Sequence, residues 1–240
     1  MRWLSILALR RARLISLVLL AAISQAASAQ GSGGDDILLQ MKQAYQRGDK
    51  ARLSALLPMA RGHALEPWAA YWELKARLQE ASPLEVQDFL ARYAGTYQED
   101  RLRNDWLLLL GQRRDWTTFE AEHGRFRMND DPQVRCYALL VQHVAEGTAS
   151  AAMVEEVRRL WFAQRDNGDA CTQAAARLLS DAPGRQRLTT ADAWRKARVS
   201  MEANRPRNVQ GVLELIAPDA LPALAEINAS PSKFLLSRVT

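Results

Sequence analysis

Apolar residues recur at helical spacing along most of this chain, and no segment alternates convincingly as a half-buried strand would. The clearest run is residues 82–119. Val86, Phe89, Leu90 and Tyr93 stand at i, i+3, i+4 and i+7, one face of a helix. Ser82 can cap that helix, and Pro83 suits its first position. Gly95 and Thr96 break it. Leu102, Trp106, Leu109 and Leu110 then repeat the helical spacing, with Gly111 expected to end the second helix. Asp115 caps a third, which carries Trp116 and Phe119.

The same punctuation continues on both sides. Ile37, Met41, Ala44 and Tyr45 share a face, stopped by Gly48-Asp49. Ala51 to Leu57 forms the next helix, and Pro58 stops it. Trp68, Tyr71, Trp72 and Leu78 belong to another. Asp131-Pro132 starts a helix through Val144, closed by Gly147. Met153, Val157, Leu160 and Trp161 mark a further face. Asn167-Gly168-Asp169 reads as a turn, with Asp169 starting the helix of Cys171, and Pro183-Gly184 is a further break. Residues 190–204, then Val209, Val212, Leu213 and Ile216, then Leu221, Leu224 and Ala225 complete the series. Each helix is too short to be stable alone in water. Antiparallel pairs stacked side by side would bury their faces, so the expected fold is all-α, an α-solenoid or superhelix. The segment around Ala44-Tyr45-Gln46-Arg47-Gly48-Asp49 resembles a tetratricopeptide turn, but no strict period is visible, so the repeats are degenerate.

Residues 1–29 read as a signal peptide rather than fold. Arg2, Arg10, Arg11 and Arg13 precede an apolar run from Leu14 to Ile23, and Ala27-Ser28-Ala29 is a small-x-small cleavage signal. The run falls short of the ~20 residues a membrane span needs, so no stable span is expected after cleavage. Residues 30–36 are a flexible lead-in, and 37–240 the helical domain. The chain stops at Thr240, soon after Ser230-Pro231 starts a helix bearing Phe234, Leu235, Leu236 and Val239, so truncation at the C-terminal end is expected.

Export changes the charge picture. The net charge of +5 includes four arginines of the leader and no acid from it, leaving +1 for the rest. That balance gives no reason to expect a nucleic-acid partner. The pairs Arg101/Arg103, Arg113/Arg114 and Arg158/Arg159 read as solvated helix faces. The two cysteines, Cys136 and Cys171, would meet an oxidising compartment, where a disulfide is the expectation and two buried thiols the alternative. Such a bridge would contribute about 3–4 kcal/mol in the chain-entropy description.

No catalytic constellation stands out, and no metal or cofactor is expected. His63, His123 and His143 lack a metal-ligand spacing. His143 and Glu146 read as a surface pair, and a Cys136–His143 thiol–base pair gives way to the disulfide. Ser230-Pro231-Ser232-Lys233 matches S-x-x-K but has no S-D-N or K-T-G partner, so Ser230 reads as a helix cap. Asp35-Asp36, Asp130-Asp131 and Glu155-Glu156 are adjacent, and helical neighbours diverge instead of forming acid/base dyads. Trp72, Trp106 and Trp161 are expected in the core. Trp68 and Trp116, at helix starts, are the candidate glycan contacts.

One resemblance gives these helices a context. Tyr71-Trp72…Leu78, Val86…Phe89-Leu90…Tyr93…Thr96, Asp100-Arg101-Leu102-Arg103…Trp106-Leu107 and Asp115-Trp116…Phe119 resemble the N-terminal superhelical domain of soluble lytic murein transglycosylases. Val134-Arg135-Cys136-Tyr137-Ala138, Asp169-Ala170-Cys171 and Ala193-Trp194 extend the likeness over most of residues 37–240. The resemblance implies a ring of helical pairs beside a lysozyme-like domain, whose glutamate cleaves glycan strands to 1,6-anhydromuramic products. The Glu-Ser pair of that catalytic domain is absent from this chain, so no catalytic residue is assigned. The resulting expectation is a periplasmic, non-catalytic scaffold that positions peptidoglycan strands and accompanies a catalytic domain lying outside this chain. A standalone tetratricopeptide-like adaptor that binds protein is the alternative.

Overall fold

The computed structural model describes residues 33–165, 169–180 and 187–238. The leader, the turn before Asp169, the Pro183-Gly184 break and Val239 lie outside the described residues. Among those described, every regular element is a helix. They fall into two compact units, the first ending at Leu102 and the second starting at Arg103.

The first unit begins with α1, residues 33–47, so the helix opens inside the expected lead-in of 30–36. Gly48, at φ +70°, ends it in the left-handed conformation. Asp49 caps α2, Lys50–Leu56, by accepting from the Arg52 amide at 2.9 Å. A 3-10 turn, Leu57–Ala60, follows. Next come α3, Glu66–Ala76, and α4, Pro83–Arg92. Leu78, read as part of the helix of Trp68, lies instead in the turn beyond α3, where it is buried. At α4 the reading of Ser82 holds and is extended, because the Glu85 carboxylate accepts from the Ser82 amide in return. Leu38, Met41, Ala44, Leu53, Leu56, Ala60 and Ala69 form the core joining α1, α2 and α3. Each fully buried side chain such as Met41 or Leu53 contributes about 1.5–3 kcal/mol.

Helix α5, Tyr97–Arg113, starts in the first unit and continues into the second. It runs through Gly111, where a stop was expected. A Cβ at Gly111 would collide with the Tyr137 ring, so the glycine is there for close packing. The helix ends at Arg114, which takes the left-handed conformation at φ +59°. Arg103 also differs from the expected solvated face. It is buried and paired with Glu122, which also holds Arg125 at 3.2 Å.

The second unit contains α6, Trp116–His123; α7, Pro132–Glu146; and α8, Ala151–Ala163. It continues with α9, Asp169–Leu179, and α10, Thr190–Glu202. Then follow α11, Pro206–Ile216; α12, Leu221–Ala229; and α13, Pro231–Leu236. Asp115 and Asp131 cap α6 and α7 as read, and Gly147 closes α7 at φ +67°. Ser230 occupies the cap position of α13, but its side chain makes no cap hydrogen bond. Helix α7 packs on α8 and α9, while α11 packs on α9, α10 and α12. The end of α8 is gripped from α10 and its neighbours. Buried Lys196 donates to the Phe162 and Gln164 carbonyls, and Asn208 donates to those of Gln164 and Arg165. A cation at a helix C-terminus is favourable, yet burial first, and then Arg205, pull the Lys196 pKa down to about 8.

Candidate functional site

Four positions on α1 share one face: Asp35, Leu38, Leu39 and Lys42, at i, i+3, i+4 and i+7. Leu65, Trp68 and Trp72 face them from the start and body of α3. Between the two lies an open groove of about 650 Å³. Its lining is mostly apolar, which in an open cleft favours a ligand with an apolar face. Leu38 is buried beneath it, whereas Leu39 is 58% exposed.

The indoles of Trp68 and Trp72 sit one turn apart, with ring centroids 5.8 Å apart and planes tilted by 32°. Tyr97 extends this row beside Trp68 at 5.7 Å, and Tyr45 extends it beside Trp72 at 6.3 Å. Tyr71 packs edge-on against Trp68 from the buried side, at 5.9 Å. The row is thus supported below, while Trp68 and Trp72 remain partly exposed and Tyr97 is 54% exposed.

His63 fastens the groove's walls together. Its Nδ1 accepts the Leu65 amide at 3.0 Å, so Nε2 carries the proton facing the Asp35 carboxylate at 3.0 Å. Gly34 backs onto that ring, and a Cβ there would stand 2.9 Å from it. The entry to α3 is fixed from the other side by Glu66, which accepts the Gly62 amide at 2.8 Å and the Tyr93 hydroxyl at 2.9 Å. The Gly62 bond, then the Tyr93 bond and the nearby arginines, outweigh burial and hold the Glu66 carboxyl below its usual pKa. Burial, reinforced by Glu66, pushes the Tyr93 phenol up to about 12.

The structure places the sequence-derived candidates differently from one another. Trp68 lines the groove. Trp72, expected in the core, lines it too, because the facing wall is α1 and leaves that edge of α3 open. Trp116, in the second unit, is partly exposed and packs 6.2 Å from Tyr137. Trp106 and Trp161 are core, at 3% and 1% exposed. Tyr97 escaped the sequence reading because it stands off the apolar face of α5. Its position directly after the Gly95-Thr96 break was the available signal.

Cys136 and Cys171 form the disulfide, joining α7 to α9 with both residues fully buried. This removes the thiol–base alternative. His143 lies in the interior, which corrects its reading as half of a surface pair with Glu146. A second groove of about 470 Å³ lies between α6 and α7, lined by Glu120, His123, Arg135 and Glu146 among others. Burial lowers the His123 pKa, and its ring stacks on Phe119 at 5.6 Å. Arg135 is bound to Glu156 at 2.6 Å, which ties α7 to α8, and Glu146 accepts from Gln142 one turn back on α7 at 2.8 Å. Among the described residues, no group of three His, Cys, Asp or Glu side chains could hold a metal ion, and no helix is long and apolar enough to cross a membrane. No protein family model matches the chain, and no curated protein matches it.

Proposed function

We propose that this chain is the exported superhelical region of a protein of the lytic murein transglycosylase type, and that it holds the glycan strand without cleaving it. The observation that carries this reading is the groove of Trp68 and Trp72, continued by Tyr97. Pyranose rings present apolar C–H faces, and partly exposed, supported aromatic rings suit them. Two further features agree with it. Short helices that pack on their sequence neighbours are what a solenoid requires. A buried disulfide fits an oxidising compartment such as the periplasm.

Incubation of the purified chain with murein sacculi tests both halves of the proposal. The chain is expected to sediment with the sacculi and to release no anhydro-muropeptides. Release of such products by this chain alone would overturn the division of labour, and failure to sediment would overturn the glycan reading. An adaptor role is tested in the same preparation: a purified protein partner captured without any murein affinity would favour the tetratricopeptide-like alternative.

A further inference from the structure

We propose that the face of α1 and α3 that forms the groove pairs with a second copy of this chain, α1 running antiparallel to α1 about a twofold axis. This goes beyond the glycan reading and does not depend on it.

The arrangement of charge on α1 points to that partner. Asp35 and Lys42 are the two charged residues that line the groove, with Leu38 and Leu39 midway between them. They stand seven residues apart, about 10 Å along the helix, and do not pair with each other. Asp35 gives one carboxylate oxygen to His63, and its side chain stays 70% exposed. Lys42 is exposed, and among the described residues no hydrogen bond or ion pair engages its ammonium. A face with opposite charges at its ends and apolar residues at its middle complements itself when turned end for end. In an isologous pair every such contact occurs on both sides of the axis. An axis through the midpoint of 35 and 42 passes between Leu38 and Leu39. Asp35 of each protomer then meets Lys42 of its partner, and the Leu39 side chains lie beside the axis. A parallel pair would oppose like charges instead, so the charges fix the direction.

The apolar surface supports the same partner. Leu39 is 58% and Leu65 49% exposed, beside the partly exposed Trp68 and Trp72. Covering these residues is favourable in proportion to the apolar area removed from water. Another exposed apolar pair, Leu235 and Leu236 on α13, lacks the self-complementary charge. Its neighbours Lys233 and Arg238 have one sign and would repel a second copy. Seven residues line the groove, against about 20–30 on each side of a full-sized interface, so the pair is weak, with a Kd on the order of 10 μM. Pairing covers the groove, so a bound saccharide and a second copy exclude each other.

The test is sedimentation equilibrium of the intact chain from about 1 to about 100 μM, across which the average mass should rise from monomer towards dimer. Lys42→Asp and Asp35→Lys, each at an exposed position, should each weaken self-association about tenfold or more, because two exposed attractions become two repulsions. Thermal melting confirms that both variants are folded. An equimolar mixture of the two should recover the dimer. In the mixed pair the introduced aspartate faces the introduced lysine, and Asp35 of one variant faces Lys42 of the other. A merely structural defect in either variant would not be rescued in this way. A monomer throughout the range would overturn the proposal. So would a dimer that both substitutions leave unchanged, or a mixture no more associated than the single variants. Each of these results would leave the glycan reading standing.

Discussion

The rings of the groove in the first unit and the rings of the α6–α9 region in the second are similar in kind but opposite in setting. Trp161, Tyr137 and Phe119 are enclosed, and in the same region a disulfide joins α7 to α9. Trp68, Trp72 and Tyr97 form a continuous row, yet Trp68 and Trp72 border an open groove and Tyr97 is exposed. Enclosed rings contribute burial and geometry to folding. Rings left at the wall of a groove contribute less to folding and keep a face available. The difference separates aromatic residues that build this protein from those with a case for binding.

Truncation at matched sites sharpens that contrast most. Trp161→Ala should cost about 3–5 kcal/mol, read by chemical denaturation, because it empties a closed site. Trp68→Ala should cost only about 1–2 kcal/mol, since part of the ring is already in water. Equal losses would erase the distinction between core and groove. Reduction of Cys136–Cys171, or replacement of both cysteines by serine, should destabilise the chain by about 3 kcal/mol. It should leave ligand affinity at the groove unchanged, as both cysteines lie in the second unit.

Two smaller effects test the packing of the second unit. Gly111→Ala should cost about 1–3 kcal/mol, and the companion Tyr137→Leu change should recover part of it, because the collision is with that ring. Lys196 gives a pH signature. Its folded pKa of about 8 lies below the ordinary lysine value of 10.5. Between those values the unfolded chain binds more protons, so this group makes stability rise with pH from about 8 to 10.5. Lys196→Met should lack that increment, as the difference between the two proteins' denaturation profiles across that range. A parallel pair of profiles would contradict the assignment. In the first unit, Ser82→Ala should cost about 1 kcal/mol by removing one half of the capping box.

Local rules made much of this fold legible. Ser82, Asp115, Asp131 and Gly147 were readable because a cap is decided by a few neighbouring residues. Gly111 was misread because its partner, Tyr137, stands on another helix. Arg103 was misread for the same reason, since Glu122 lies on α6 and turns an apparently solvated charge into a buried pair. At the groove, Trp68 was legible as an aromatic at a helix start. Trp72 was not, because whether an aromatic on α3 is covered depends on where α1 lies. Periodicity marks the apolar side of a helix but does not show which neighbour stops short of covering it.

Sedimentation of Trp68→Ala beside the wild-type chain, against purified sacculi, tests the central claim most directly. Thermal melting of both proteins confirms that each is folded at the assay temperature. Loss of the indole should weaken binding about tenfold, as expected for one aromatic platform. Undiminished sedimentation of folded Trp68→Ala would contradict the account.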